Sequence, residues 1–278
     1  MSASSPALER EVILRGGVRM PRVGLGVFRT PRGSTTREVV LEALRLGYRH
    51  VDTARVYGNE ADVGAAIRDS AIARDQIFLT TKLWNDDHGY DATLRAFDAA
   101  LGRLGLAHVD LFLLHWPVPG KRLESWRALE RLRSEGRARA IGVSNFMVHH
   151  LEELLAHAHD PPTVNQIEVS PFLQQREVRE LCARQGIVVE AYSPLTKGVR
   201  LSHPEVVRVA AEVGRTPAQV LLRWGLERAL VVLPKSTSPA RLAENLAALE
   251  FTLPAAALAA LDALEEGLVT GWDPRTAP

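Results

Sequence analysis

The stretch REVVLEALRLG at residues 37–47, followed by YRHVD at residues 48–52, contains the structural unit that recurs along this chain. Its first part has apolar residues every three or four positions, which is typical of an amphipathic helix. Gly47 suits the left-handed residue that ends a helix, and YRHVD predicts a short strand. The order of helix, glycine and strand recurs in ESWRALERLRSEG–RARAIGVS (124–144) and REVRELCARQG–IVVEAYS (176–193).

Eight segments of the chain are candidate strands. They are YRHVD (48–52), IFLTTK (77–82), HVDLFLLH (108–115), ARAIGVS (138–144), TVNQIE (163–168), IVVEAYS (187–193), ALVVLPK (229–235) and LEFTL (249–253). Such strands alternating with helices form parallel sheets, and eight units favour a closed (β/α)8 TIM barrel over an open sheet. We therefore expect a single barrel domain over residues 1–278.

The opening EVILRGGVRMPRVGLG (11–26) differs from the repeat. Two short alternating stretches flank Gly16 and Gly17, which predicts a β-hairpin outside the barrel repeat, closing its bottom. Gly24 and Gly26 match part of a dinucleotide-binding fingerprint, but a third glycine is missing and no helix follows directly. A loop is the better interpretation of this glycine pair.

Composition excludes several classes of protein. The chain is 46% hydrophobic and 24% charged with a net charge of +1, so it has material for a core but no basic block that would indicate nucleic-acid binding. The single cysteine, Cys182, excludes an intrachain disulfide and a multi-cysteine zinc cluster. The stretch MSASSPALER lacks an apolar signal region, and no run approaches the ~18 residues of a membrane span. We expect a cytoplasmic monomer.

No metal site is expected. Four histidines cluster in HHLEELLAHAHD, at His149, His150, His157 and His159, but no two of them have the i,i+4 spacing that places two ligands on one helix face. The segment is better interpreted as a solvated helix and loop.

Four polar residues follow or end candidate strands, where a barrel builds its active site. They are Asp52, Tyr57, Lys82 and His115. Only four of the 34 basic residues are lysines, and Lys82 interrupts the apolar run IFLTTKLW, which indicates a chemical role. An ammonium held by Asp52 would favour the phenolate of Tyr57, and a neutral His115 could bind a carbonyl oxygen. The set predicts a proton donor for a carbonyl.

A proton donor of this kind needs a partner that attacks the carbonyl carbon, and no GxSxG motif supplies one. A nicotinamide hydride would complete the reaction. The segment LPKSTSPARLAENL (233–246) places Lys235, Ser236, Thr237 and Arg241 around a predicted helix N-terminus, which suits a nucleotide 2′-phosphate.

The chain resembles the aldo-keto reductases over nearly its whole length, and most closely the short bacterial members similar to 2,5-diketogluconate reductases. Seven motifs occur in family order: GYRHVDTARVYGNEADVG, LTTKLW, VDLFLLHWP, AIGVSNF, NQIEVSPF, AYSPL and LPKSTSPARLAENL. The resemblance implies NADPH as cofactor and a small carbonyl (an aldehyde, ketone, dicarbonyl or keto sugar) as substrate. It also implies a catalytic tetrad of Asp52, Tyr57, Lys82 and His115, with Tyr57 as the general acid.

The resemblance implies further site residues. Ser144, Asn145 and Gln166 would hold the nicotinamide carboxamide, Tyr192 would stack on the ring, and Ser193 and Leu195 would line the pyrophosphate path. Lys235, Ser236, Thr237 and Arg241 would bind the 2′-phosphate, with Glu244 and Asn245 toward adenine. Phe28, Trp84 and Trp116 would line the substrate pocket. The short tail GLVTGWDPRTAP carries Trp272, a candidate for the rim of the site.

Two other functions fit parts of the pattern. The first is a non-catalytic nucleotide-sensing subunit on the same barrel, against which the intact tetrad argues. The second is an aldolase that uses Lys82 as a Schiff-base nucleophile. Steady NADPH oxidation with an aldehyde would favour the reductase, and borohydride trapping of substrate on Lys82 would favour the aldolase.

Overall fold

A computed structural model describes residues 10–277 of the chain. The strands within this range are β1 (Glu11–Ile13), β2 (Arg19–Pro21), β3 (Leu25–Gly26), β4 (His50–Asp52), β5 (Phe78–Leu83), β6 (Val109–Leu114), β7 (Ala138–Ser144), β8 (Val164–Glu168), β9 (Val188–Tyr192) and β10 (Val231–Leu233). Strands β3 to β10 form one parallel sheet in sequence order. A parallel bridge between Val23 and Val232 brings the two edges together, so the expected TIM barrel is confirmed.

Helices cover the outside of this barrel. They are α1 (Ser34–Arg45), α2 (Glu60–Asp69), α3 (Tyr90–Leu104), α4 (Arg122–Ser134), α5 (Val148–His157), α6 (Arg176–Arg184), α7 (Pro204–Val213), α8 (Pro217–Glu227), α9 (Pro239–Leu246) and α10 (Ala255–Asp262). Apolar helix faces pack on the outward strand residues in one large core cluster, which includes Phe97, Phe112, Trp126 and Trp224. Burial of such large side chains stabilises the helix layer by roughly 2–3 kcal/mol each.

The eighth barrel strand is not the one that the sequence predicted. The stretch 249–253 forms no strand, because its first two residues complete a 3-10 helix, Ala247–Glu250. Strand β3 takes that place, pairing with β4 through Leu25 and Val51. The interpretation as a loop is therefore wrong for Gly26, which lies in β3, whereas Gly24 precedes the strand. A Cβ at Gly24 would lie 2.7 Å from the His50 ring nitrogen Nδ1, so close packing explains this glycine.

The predicted hairpin is confirmed. Strands β1 and β2 pair antiparallel, with Val12 opposite Met20. Met20 is buried in a cluster with Phe78 at the start of β5, Val164 at the start of β8 and Val231 at the start of β10. Since these residues lie at the amino ends of the strands, the hairpin closes the bottom of the barrel, opposite the candidate site.

The structure tests only in part the two expectations that the chain has no signal segment and no membrane span. The absence of a signal segment concerns chiefly residues 1–9, which lie outside the described residues. Within residues 10–277, no helix on its own has the length and hydropathy of a membrane span; the segments Pro239–Glu250 and Ala255–Asp262 reach those values only as a pair, bent by 120°.

Candidate active site

The four predicted catalytic residues meet at the carboxyl end of the barrel. Asp52 ends β4, Lys82 is the fifth residue of β5, and His115 directly follows β6. Tyr57 ends a single turn of 3-10 helix, Arg55–Tyr57, that follows β4. Parallel strands bring their carboxyl ends to one face of a barrel, which explains why residues far apart in sequence converge here.

Lys82 is the centre of this group. Its Nζ lies 2.7 Å from each carboxylate oxygen of Asp52, 2.9 Å from the carbonyl oxygen of Thr53 and 3.2 Å from the hydroxyl of Tyr57. The Lys82 side chain is buried, and Asp52 is 3% exposed. Because an ammonium has only donors, Tyr57 accepts this hydrogen bond, and its own phenol hydrogen is left to point elsewhere.

Opposing effects set the pKa values of this pair. Burial lowers the pKa of Lys82, but attraction to Asp52 and to Tyr57 outweighs it, so the pKa of the ammonium is raised. Burial raises the pKa of Tyr57 to about 12, although Lys82 pulls it down. Lys82 therefore lowers the pKa of Tyr57, as predicted, but burial has the larger effect and the pKa of the phenol stays above its usual value. The phenol stays protonated at neutral pH, as a proton donor must, and the charged Lys82 is a poor amine nucleophile.

His115 is suited to donate from its Nε2 atom. Its Nδ1 is buried and has no hydrogen-bond partner among the described residues. A buried N–H without a partner is less favourable than a buried lone pair, so the proton belongs on Nε2. Burial, with help from the charge of Lys82, lowers the pKa of His115 well below its usual value, so the ring is neutral. The neutral ring can therefore donate one hydrogen bond into the cavity that His115 lines.

Three polar residues from neighbouring strands line the same cavity. Ser144 ends β7 and donates from its Oγ to the carbonyl oxygen of Gln166, at 2.8 Å. Asn145 donates from Nδ2 to the carbonyl oxygen of His115, at 3.0 Å, and its Oδ1 accepts from the hydroxyl of Tyr192, at 2.8 Å. With Gln166, these groups form a patch of fixed donors and acceptors in the cavity, and their role in holding a carboxamide stays a prediction.

A second cleft continues from this cavity along the ends of β9 and β10. Of the predicted cofactor residues, eight line it: Tyr192, Ser193, Leu195, Lys235, Ser236, Arg241, Glu244 and Asn245. Lys235 and Arg241 are exposed cations at the amino end of α9, a position that favours an anion. Thr237 is exposed and does not line the cleft. Glu244 accepts a hydrogen bond from Thr216.

Aromatic rings form the other wall of the cavity. Phe28 packs on Tyr57 with ring centroids 4.9 Å apart, and Trp84 meets His115 edge-on at 5.3 Å. Trp116 lines the cavity and packs 6.1 Å from Trp272, which is 63% exposed. Of the three predicted pocket aromatics, Phe28 and Trp116 line the cavity, whereas Trp84 packs on His115 without lining it. The C-terminal tail adds the ring of Trp272 at the rim.

Two residues that the sequence analysis missed hold this tail. The buried Glu168 ends β8, and its carboxylate accepts hydrogen bonds from the backbone N–H groups of Thr270 and Gly271, at 3.0 and 3.3 Å. Lys197 donates to the carbonyl oxygen of Thr270. Since Trp272 follows directly, these contacts fix its position over the cavity. An acidic residue at a strand end, in NQIEVSPF, was the available signal for Glu168.

The histidine-rich segment forms helix α5 and the loop after it, as predicted, but the expectation that it is solvated is wrong for His150. His150 is buried, and its Nδ1 accepts from the backbone N–H of Met147 at 3.1 Å. Among the residues that the structure describes, no group of three or more His, Cys, Asp or Glu side chains could hold a metal ion.

Comparisons with known proteins place this fold and site in a class. The family model described as "Aldo/keto reductase family" matches residues 22–266. A protein of Bacillus subtilis named "Uncharacterized oxidoreductase YtbE" is 46% identical over 271 residues, which are 96% of this chain and 97% of that protein. "Glyoxal reductase" of the same organism is 45% identical and covers 96% of this chain and 97% of its own length.

Solved structures agree with this placement. A mutant of Gox0644, solved in complex with NADPH, superposes with a TM-score of 0.91 at 45% identity, covering 96% of this chain and 98% of that one. The fold and the site are therefore those of a barrel oxidoreductase that acts on carbonyl groups. The chain belongs to the aldo/keto reductase family, and the predicted family and enzyme class are confirmed.

Proposed function

We propose that this protein reduces small aldehydes or ketones to alcohols with NADPH, and that Tyr57 supplies the proton. One observation carries the proposal: the buried Lys82 ammonium donates to the hydroxyl of Tyr57 while Asp52 holds it from the other side. This contact leaves the phenol hydrogen free for a substrate oxygen, and it places a positive charge where negative charge appears once the proton has left.

The chain's own residues divide the work as follows. Nε2 of His115 donates a hydrogen bond to the carbonyl oxygen and orients it toward Tyr57. Bound NADPH supplies a hydride to the carbonyl carbon, which breaks the C=O π bond and places negative charge on the oxygen. Tyr57 transfers its proton to that oxygen, and Lys82 stabilises the resulting phenolate. The products are the alcohol and NADP⁺.

The two adjoining cavities fit a dinucleotide phosphate. Ser144, Asn145 and Gln166 offer hydrogen bonds to a carboxamide beside the ring of Tyr192. The second cleft leads from there to Lys235 and Arg241, whose charges suit a 2′-phosphate at the amino end of α9. NADPH is the cofactor proposed for this site, and a similar protein binds it.

The aromatic wall favours small carbonyl compounds with an apolar or planar part. Phe28, Trp116 and Trp272 line the cavity, Trp84 packs on His115, and the reacting oxygen is left to Tyr57 and His115. Dicarbonyls, keto sugars and aromatic aldehydes are the candidate substrates, and one similar protein is named glyoxal reductase.

The direct test follows NADPH absorbance at about 340 nm with a panel of these three carbonyl classes, ranked by kcat/KM. Steady oxidation with at least one class is expected. The absence of oxidation with every class, in protein that still binds NADPH, would overturn the proposal in favour of a nucleotide-sensing role. A single domain over residues 1–278, a monomeric state and a cytoplasmic location remain predictions.

A further inference from the structure

Glu190 is a buried acid that the reaction proposed above does not use. It lies in the middle of β9, is 0% exposed, and contacts Gln166 below the cavity. A carboxyl group in the interior of a barrel is unfavourable unless hydrogen bonds or protonation compensate for its burial. Its contacts therefore indicate what it does.

The contact with Gln166 fixes the orientation of an amide. The Nε2 atom of Gln166 donates to Oδ2 of Asp52 at 2.8 Å and to Oε2 of Glu190 at 2.7 Å. An amide nitrogen has two hydrogens, so both are used. Gln166 lines the cavity beside Tyr192, and its Oε1 is left as the group that can accept a hydrogen bond there. Two acids together thus turn the Gln166 oxygen toward the proposed carboxamide position.

The surroundings of the second oxygen of Glu190 indicate whether the carboxyl is protonated or ionised. Oε1 accepts no hydrogen bond from the described residues and lies 3.4 Å from Nε2 of His50. Nδ1 of His50 is 3.3 Å from the carbonyl oxygen of Pro21, which only accepts, so Nδ1 carries the ring proton and Nε2 presents a lone pair, which also lies 3.2 Å from the hydroxyl oxygen of Thr80. An ionised Oε1 would face that lone pair without a donor, whereas a protonated one can donate to it beside the Thr80 hydroxyl.

The charges around Glu190 agree with a protonated carboxyl. Burial, followed by repulsion from Asp52, raises the pKa of Glu190 to about 8, while Gln166 and Lys82 act in the opposite direction. Burial lowers the pKa of His50 to about 3, so the ring is neutral. The acid on neighbouring β8, Glu168, accepts hydrogen bonds from the C-terminal tail.

We infer that Glu190 is a positioning residue which, as a neutral carboxyl and together with Asp52, holds the amide oxygen of Gln166 toward the nicotinamide of the cofactor. The inference rests on the proposed function for the identity of the ligand. The inference adds a role that the proposed function does not include, because Glu190 touches neither cofactor nor substrate and acts through Gln166.

The inference has a consequence for pH dependence. Above about pH 8, Glu190 ionises and adds a second negative charge beside Asp52. A carboxylate there raises the pKa of Tyr57, since a negative charge on Glu190 acts in that direction on the phenol. Proton donation by Tyr57 then becomes less favourable. The rate of carbonyl reduction by the natural protein should fall through an inflection near pH 8.

Two variants distinguish the role of Glu190 as a hydrogen-bond acceptor from the effect of its charge. Glu190→Gln keeps an acceptor oxygen for Gln166 and a donor toward His50, and cannot ionise. Glu190→Met keeps the length of the side chain and removes the acceptor, which leaves one N–H of Gln166 unpaired. At pH 7, NADPH dissociation constants from protein-fluorescence quenching should stay within about twofold of the natural protein for Glu190→Gln and rise about tenfold for Glu190→Met.

The pH profile is the second readout, and a purely structural role would not move it. Between about pH 6.5 and about pH 9.5, kcat of Glu190→Gln should lack the inflection near pH 8. Retention of the inflection in Glu190→Gln, or unchanged NADPH affinity in Glu190→Met, would overturn the inference. If Glu190→Met does not fold, the profile of Glu190→Gln decides alone.

A third measurement remains valid even if no carbonyl substrate is found. A carboxyl whose pKa is raised on folding from about 4.3 to about 8 binds its proton more tightly in the native state, so its contribution to stability decreases as pH rises through this window. The melting temperature of Glu190→Gln minus that of the natural protein should therefore increase by about 5 °C or more from pH 5 to pH 8.5. A constant difference would overturn the neutral carboxyl, whereas failure of the carbonyl screen alone would count only against the proposed function.

Discussion

The ammonium nitrogen of Lys82 lies 2.7 Å from both carboxylate oxygens of Asp52, and both side chains are buried. This ion pair joins the ends of two adjacent barrel strands, β4 and β5. The pair keeps a positive charge beside the hydroxyl of Tyr57. Without Asp52, that charge would be unfavourable in the interior. The proposed proton donor depends on this pair.

Replacing Asp52 by Ala should therefore destabilise the protein. The change leaves the Lys82 ammonium buried with only Thr53 and Tyr57 as partners, and loss of one member of a buried ion pair costs about 3–5 kcal/mol of unfolding free energy. Urea denaturation measures this cost. Tyr57→Phe is the matched control, since it removes one other contact of Lys82 and should cost about 1 kcal/mol. Equal stability of the two variants would contradict a structural role for the ion pair.

Lys235→Ala should discriminate between the two nicotinamide cofactors. Lys235 is exposed at the cleft, where it can reach a 2′-phosphate that NADPH has and NADH lacks. Loss of a charged hydrogen bond should weaken NADPH binding by about 10- to 100-fold and NADH binding by about twofold or less. Fluorescence titration with both cofactors measures this. Lys121→Ala, which removes an exposed lysine before α4, is the control. Equal weakening of both cofactors by Lys235→Ala would rule out phosphate recognition.

Glu168→Ala should release the C-terminal tail. Three hydrogen bonds from Thr270 and Gly271 end on the Glu168 carboxylate, so its removal frees Trp272 from the rim. We expect KM for an aromatic aldehyde to rise about tenfold, with a change in kcat of about twofold or less. Glu266→Ala, which breaks an exposed ion pair with Arg200, should leave both constants unchanged. A kcat loss without a KM change would show that Glu168 acts on the chemistry instead.

Much of the site could be predicted because strand ends in a parallel barrel meet at one face. Asp52, Lys82 and His115 each end an apolar run, so their convergence follows from the fold once eight αβ units are counted. The same signal, a charged residue inside an apolar strand, was present at Glu190 in IVVEAYS. The sequence could not tell that this residue points inward toward Gln166, because either face of a strand can be buried in a barrel.

The eighth strand could not be predicted, for a physical reason. Strand β3 has only two residues, Leu25 and Gly26, and its glycine-rich surroundings resemble a turn. What makes it a strand is pairing with residues far along the chain: its N–H and C=O groups meet β4 on one side and the end of β10 on the other. Local pattern instead favoured LEFTL, which has suitable residues but no neighbouring strand.

The most direct test of the proposed chemistry is a comparison of Tyr57→Phe with the natural protein in single-turnover reduction of a carbonyl substrate by bound NADPH. Phenylalanine keeps the ring that packs on Phe28 and removes only the hydroxyl that Lys82 contacts. We predict that NADPH affinity changes by about twofold or less while the rate of reduction falls by about 10²–10⁴-fold. An undiminished rate in Tyr57→Phe would contradict the assignment of Tyr57 as the proton donor.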